Sequence, residues 1–345
     1  FGCSKQTNDA LTARKIAFNA DWNFHLNDSI TDNDTLGSTT KWRTLNVPHD
    51  WSIEGKFDEK SPTGVGGGAL AGGLGWYKKI FKIAVADSSK ITSIIFDGVY
   101  CNSEVWINGH FLGKRPNGYI GFQYNMTPYL KYGDQTNELI VKVDNNQQPN
   151  SRWYSGSGIY RNVWLETTDK LHVAQWGTYI TTPKVTPEKA QVQIETTIKN
   201  QNETPKKATI TTTIFKGETN VISVKKEITI AANDTQILNQ DIEISNPILW
   251  SVDKPEQYTA MTQIELENKI VDEYKTDFGI RDFKFDLDKG FILNGKQVKI
   301  KGVCLHHDLG PLGTAINTRA IERQLEIMKE MGVNGIRTSH NPPAP

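Results

Sequence analysis

Glu104-Val105-Trp106-Ile107-Asn108-Gly109-His110-Phe111-Leu112 decides the fold class of the leading part of this chain. Two short apolar, strand-like runs flank Asn-Gly, and both turn residues tolerate positive φ, so the stretch predicts a β-hairpin. Outward from it lie further strand-like runs, Trp76-Tyr77-Lys78-Lys79-Ile80-Phe81-Lys82-Ile83, Ile91-Thr92-Ser93-Ile94-Ile95-Phe96 and Glu138-Leu139-Ile140-Val141-Lys142-Val143. Asp97-Gly98 and Gly133-Asp134 punctuate them as turns. Short strands with long Gly- and Asn-rich connections predict a jelly-roll sandwich over residues 15–169, preceded by a tail, residues 1–14.

The same alternation continues in a second unit, residues 170–281. Ala190-Gln191-Val192-Gln193-Ile194-Glu195-Thr196-Thr197-Ile198, Lys226-Glu227-Ile228-Thr229-Ile230 and Thr262-Gln263-Ile264-Glu265-Leu266-Glu267 each put apolar residues on one face. About seven such strands predict an immunoglobulin-like sandwich. The pattern then changes over residues 282–345. Gln297-Val298-Lys299-Ile300-Lys301-Gly302-Val303 reads as a strand. Ala320, Ile321, Leu325, Met328 and Met331 recur at helical spacing, with Asn317 or Thr318 as N-cap and Gly332 past the end, and Gly335-Ile336-Arg337-Thr338 reads as a second strand. Strand, helix, strand is the first βαβ unit of a parallel α/β domain. A parallel sheet is buried on both faces, which one unit cannot achieve, so the chain is expected to be part of a longer protein.

A length of 345 residues fits two to three domains. Lys plus Arg number 39 and Asp plus Glu 39, leaving no excess charge to grip nucleic acid or an anionic membrane. No apolar run approaches the roughly 20 residues of a membrane helix. Three cysteines, Cys3, Cys101 and Cys304, form neither a disulfide framework nor a zinc-ligand spacing. Cys101 and Cys304 read as buried thiols. Phe1-Gly2-Cys3-Ser4 followed by a polar run resembles the end of a bacterial lipoprotein signal, which makes Cys3 a candidate for lipidation and the bacterial cell envelope (periplasm or outer membrane) the expected location. The other reading is a tail with an incidental cysteine.

Several clusters invite chemistry. The glycine run from Gly64 to Gly75 lacks the Lys-Ser/Thr of a phosphate loop and leads into a strand, so it reads as a mobile surface loop or as the edge of a sugar site. His306-His307-Asp308 follows one barrel-type strand and His340-Asn341-Pro342-Pro343 the next, where (β/α) enzymes carry their chemistry. Adjacent histidines on an extended chain point opposite ways, which disfavours a metal site. Asp144-Asn145-Asn146-Gln147-Gln148 and Arg152-Trp153-Tyr154 supply the planar amides, charges and rings that sugars need, or else a turn closed by Asx hydrogen bonds.

These residues carry a resemblance. Val47-Pro48-His49-Asp50-Trp51, Asn102-Ser103-Glu104-Val105-Trp106-Ile107-Asn108-Gly109 and Arg152-Trp153-Tyr154-Ser155-Gly156-Ser157-Gly158-Ile159-Tyr160-Arg161 resemble the sugar-binding domain of glycoside hydrolase family 2. Phe278-Gly279-Ile280-Arg281 and Phe291-Ile292-Leu293-Asn294-Gly295-Lys296 resemble its junction into a (β/α)8 barrel, and Met328 through Pro343 its second barrel strand. Within the family the chain looks like the N-terminal part of bacterial β-galactosidases, broken off early in the barrel. The resemblance implies a retaining exo-β-glycosidase acting on terminal non-reducing β-galactosides, with β-glucuronidase as the alternative within the family. A non-catalytic carbohydrate-binding protein is the alternative outside it, although such a protein has no use for a barrel start.

Retention uses two carboxyls about 5 Å apart. In the family both are glutamates after later barrel strands, so no catalytic residue is expected in this chain and the 345-residue piece alone is expected to be inactive. Glu322, Glu326 and Glu330 lie on the helix and do not qualify. The resemblance implies that His306 and His340 line the glycone subsite and that Asp144 reaches toward the sugar, with Arg152 and Asn145 beside it. His307, Asp308 and Asn341 are expected behind them. No cofactor is visible; a monovalent or divalent cation in the full-length enzyme and a homo-oligomer are both left open.

Overall fold

The computed structural model describes residues 13–27 and 41–345. Cys3 and most of the expected tail lie outside the described residues. Two compact units result: residues up to Thr167 together with Val303–Pro345, and Thr168–Gly302.

Among the described residues up to Thr168 there are ten strands: β1 (Lys15–Ala17), β2 (Trp22–Asn27), β3 (Arg43–Leu45), β4 (Gly73–Phe81), β5 (Ile91–Phe96), β6 (Ser103–Ile107), β7 (His110–Arg115), β8 (Phe122–Asn125), β9 (Asn137–Asn145) and β10 (Val163–Thr168). They form two sheets, ordered β1-β10-β5-β8 and β3-β2-β4-β9-β6-β7. Alternation makes the sandwich. Ile94, Phe96, Phe122 and Val163 from the first sheet meet Trp22, Phe24, Tyr77, Val105, Leu139 and Val141 from the second in one core. Each such large side chain contributes about 1.5–3 kcal/mol on burial. The predicted hairpin forms, with Ile107 opposite His110 and with Asn108 and Gly109 at φ +49° and +81°.

The sandwich of the second unit is built of seven strands, β11 (Leu171–Val185), β12 (Lys189–Asn200), β13 (Lys206–Lys216), β14 (Thr219–Ile230), β15 (Asp234–Ser245), β16 (Tyr258–Leu266) and β17 (Lys269–Phe278). They pair as β11-β12-β15 and β14-β13-β16-β17. Leu171, Val173, Ile198 and Leu238 from one sheet pack on Ala208, Ile210, Ile228 and Ile264 from the other. A small sheet of β18 (Phe283–Asp286), β19 (Gly290–Leu293) and β20 (Lys296–Gln297) follows.

The closing segment is β21 (Gly302–Leu305), α1 (Thr318–Glu330) and β22 (Gly335–Thr338), with β21 and β22 paired. Asn317 caps the helix by accepting from Ala320 N at 2.9 Å. The single strand expected over residues 297–303 is instead two. Asn294 and Gly295, both at positive φ, fold Lys296–Gln297 back onto β19, whereas Gly302–Leu305 pairs with β22.

Two other expectations change. Cys304 is exposed rather than buried, because alternation along β21 turns it to the opposite face from Val303 and Leu305. Cys101 is partly buried, and burial pushes its thiol up to about 12. The end of the glycine run is packed, whereas Val65 near its start is 96% exposed. Trp51 Nε1 donates to Gly72 O at 2.9 Å and Ser52 Oγ to Ala71 O at 2.8 Å. A Cβ on Gly75 would lie 2.6 Å from the Trp51 ring, so glycine there serves close approach.

Candidate active site

Leu305 ends β21 and Thr338 ends β22, and Ser339 N donates to Leu305 O at 2.8 Å, which aligns the two strand ends. His306 and His340 therefore stand side by side. Their rings meet edge to face, centroids 5.3 Å apart at 88°, and both residues are exposed. Trp153, from the loop after β9, closes the group, 5.1 Å from His340 and 6.3 Å from His306. Its Nε1 donates to Tyr119 Oη at 3.2 Å, which sets the plane of the indole. The result is an open cup with two imidazoles and one indole.

His307 turns the other way. It packs edge-on against Tyr119 at 5.4 Å and lies 5.9 Å from the Tyr160 ring, and burial drops its pKa to about 4. Asp308 is half-buried, and burial raises its carboxyl although the neighbouring His306 pulls it down. Asn341 is buried, and its Oδ1 accepts from His340 N at 3.1 Å. Asp144, at the end of β9, accepts at Oδ1 from Asn146 N and Asn146 Nδ2, both at 3.0 Å. Arg152 is exposed and makes no ion pair among the described residues.

Asn145 departs from its expected part. It is 4% exposed, donates to Gly156 O and Ser157 Oγ, and accepts from Gln148 Nε2 and Asn150 Nδ2. Its amide is spent on shaping the loop that presents Trp153, which leaves it nothing for a sugar.

Two buried groups hold the cup on the first sandwich. Asp50 is 2% exposed and accepts five hydrogen bonds. Oδ1 takes Ser52 N at 3.1 Å and Ser157 N at 2.9 Å; Oδ2 takes Tyr154 Oη at 2.7 Å and both N and Oγ1 of Thr314 at 3.0 Å. Arg161 donates to Asp97 O at 3.4 Å, Tyr119 O at 2.9 Å and Pro342 O at 2.7 Å. Asp50 thus fixes the loop after His306 and Arg161 the loop after His340. Glycine makes the first contact feasible: a Cβ on Gly156, at φ +67°, would sit 2.1 Å from Thr314 Oγ1, and one on Gly313, at φ +55°, 2.5 Å from Asp50 Oδ2.

Asp50 and Arg161 were not singled out by sequence reasoning, although both lie in the motifs quoted above; Trp153 was named there as a ring of the candidate sugar loop. Ser52 apart, the hydrogen-bond partners of Asp50 and Arg161 are 42 to 264 positions away, and no local pattern announces them. Adjoining the cup, a cleft of about 350 Å³ is lined by His306, Tyr160, Arg161, His307, Leu325 and Ile336 among others. Its apolar walls suit packing more than a sugar, and the polar chemistry lies on the exposed His306–His340 side. Glu322 and Glu326 pair with Arg319 at 3.3 and 2.8 Å, and those bonds hold the Glu326 carboxyl below its ordinary range, the reverse of what a general acid needs. Among the described residues no three His, Cys, Asp or Glu side chains converge as metal ligands.

Comparison with known proteins gives this arrangement a lineage. The sugar binding domain model of glycosyl hydrolases family 2 matches residues 16–169, a second model of that family residues 172–281, and its TIM barrel domain model residues 286–345. The chain is 51% identical over 329 residues to Beta-galactosidase BoGH2A of Bacteroides ovatus, covering 95% of this chain and 38% of that protein. A putative beta-glucuronidase of Formosa agariphila is 40% identical over 328 residues, 95% of this chain and 31% of its own length. The crystal structure of a glycosyl hydrolase family 2 member from Bacteroides cellulosilyticus superposes with a TM-score of 0.91 at 36% identity, covering 96% of this chain and 44% of that one. The chain thus spans well under half the length of these relatives. With three models of one family matching in succession from residue 16 to residue 345, the chain belongs to glycoside hydrolase family 2.

Proposed function

We propose that this chain is the substrate-binding, N-terminal part of a retaining exo-β-glycosidase whose substrates are terminal β-galactosides. The observation that carries the reading is the solvent-open His306–His340 pair against Trp153, at the ends of two adjacent strands. Imidazole nitrogens donate to or accept from sugar hydroxyls, and an indole face or edge takes the C–H surface of the ring. The 51% identity to a protein named as a β-galactosidase favours galactose. In this reading the two glutamates of the double displacement, about 5 Å apart, come from barrel segments downstream of Pro345. The leading sandwich is read as a jelly roll, and Asp144 as its reach toward the sugar.

A panel of nitrophenyl β-glycosides on the full-length protein tests this. The galactoside should be cleaved fastest, and the 345-residue chain alone should not turn it over. Turnover by the chain alone near the full-length rate would refute the placement of the glutamates, and no cleavage of any β-glycoside would refute the enzyme class.

A second reading, β-glucuronidase, is favoured by the 40% identity to a protein named as a putative β-glucuronidase. It requires cationic groups for the substrate carboxylate in later barrel loops, and preferential cleavage of the glucuronide would select it. Lipidation at Cys3 with an envelope location, and assembly as a homo-oligomer, complete the proposal. Fatty-acid labelling that survives Cys3→Ser would overturn the first, and a monomeric mass in sedimentation the second.

A further inference from the structure

Tyr119 lies in the connection between β7 and β8, outside every stretch that sequence reasoning marked for sugar chemistry, yet it bears on all three members of the cup. Its hydroxyl accepts from Trp153 Nε1 at 3.2 Å. An indole N–H only donates, so the phenol keeps its own proton for Ser155 Oγ, 3.4 Å away. Ser155 Oγ lies 2.8 Å from Ser151 Oγ, and that hydroxyl donates to Trp153 O. The hydroxyls thus close a ring that grips Trp153 at its indole nitrogen and at its backbone carbonyl.

The rest of Tyr119 reaches the two histidines through their neighbours. Its ring packs edge-on against His307, the residue after His306, at 5.4 Å and 89°. Its carbonyl accepts from Arg161 at 2.9 Å, and Arg161 donates on to Pro342 O at 2.7 Å, two residues past His340. The connection that carries it is itself held. Asn117 Oδ1 accepts from Tyr119 N at 2.8 Å and from Ile120 N at 3.1 Å, an Asx turn. Tyr160 Oη donates to Gly118 O at 2.9 Å, and a Cβ on Gly118 would lie 2.3 Å from the Tyr100 ring. An indole tied in this way is ordered on folding, so its rotamer freedom is not lost again when a ligand binds.

We propose that Tyr119 is a positioning residue of the sugar subsite: its hydroxyl sets the Trp153 indole in the orientation that meets the sugar ring. The inference rests on the cup being the sugar site. Tyr119 acts through Trp153, strengthens binding of the sugar, and leaves the chemical step alone.

The test is a double-mutant cycle of Tyr119→Phe and Trp153→Phe in the full-length protein. It reads kcat for the fastest-cleaved nitrophenyl β-glycoside and the inhibition constant of the matching free monosaccharide. Tyr119→Phe keeps the ring and removes only the hydroxyl. It should raise the inhibition constant about 3- to 20-fold and leave kcat within about twofold, the pattern of lost ground-state binding. In the Trp153→Phe background, where no indole N–H remains, the same change should have an effect below about twofold. An inhibition constant unmoved by Tyr119→Phe alone overturns the proposal, and so does an equal rise in both backgrounds, which a general structural role would give. Either result leaves the cup standing as long as Trp153→Phe itself weakens the sugar. Should Trp153→Phe change neither constant, the reading of the cup falls and this proposal with it.

Discussion

His306 and His307 are adjacent in sequence and opposite in environment. One stands exposed beside His340; the other is wedged between Tyr119 and Tyr160. That division was legible beforehand, because consecutive residues on an extended chain face opposite ways. It has a measurable consequence. Burial takes the His307 imidazole from about 6.5 to about 4, so between those values the unfolded chain binds a proton that the folded chain refuses. Stability therefore rises with pH across this window and is lost on acidification, and His49, also lowered by burial, adds to the same slope. His307→Gln should flatten the pH dependence: the urea midpoint should fall less between pH 7 and pH 5 in the variant than in the wild type. Equal falls would remove His307 from the account. Asn145 illustrates what residue types alone do not convey. An amide in a polar loop suits a sugar, and only its four partners reveal that its hydrogen bonds are already spent.

Elements with local signals were legible in outline. Asn108-Gly109 forms the expected hairpin and Asn317, one of the two candidates, caps the helix, because turn and cap chemistry is written within a few residues. The stretch 297–303 was not, since its apolar and β-branched residues say nothing about which sheet each half joins. Nor was the glycine run, whose packing depends on Trp51 and Ser52, residues distant in sequence. Asp50 shows the same limit and permits a sharp prediction. Asp50→Ala would strand five buried donors from three segments, at a cost on the order of 3–5 kcal/mol. Asp50→Asn keeps the shape but turns an NH₂ toward groups that already donate, so it too should lose stability, by less. Denaturant unfolding of both variants checks the order; a change within about 0.5 kcal/mol for Asp50→Ala would show that the lock carries no load.

At the scale of the whole molecule, period-two alternation followed by a strand–helix–strand pattern indicated two β-sandwiches and a barrel start, and family membership agrees with that order. How the barrel start is held on the leading sandwich was not legible, because Asp50–Thr314 and Arg161–Pro342 join residues 264 and 181 positions apart. Those two ties leave His306, His340 and Trp153 in one open cup, and the proposed function rests on that cup meeting the sugar. The most direct test is kcat/KM of the full-length protein for an aryl β-galactoside, wild type against His340→Ala. If the imidazole's bond to the sugar strengthens on the way to the transition state, kcat/KM should fall about 30- to 1,000-fold, roughly 2–4 kcal/mol. A folded His340→Ala variant with kcat/KM within twofold of wild type would contradict the account.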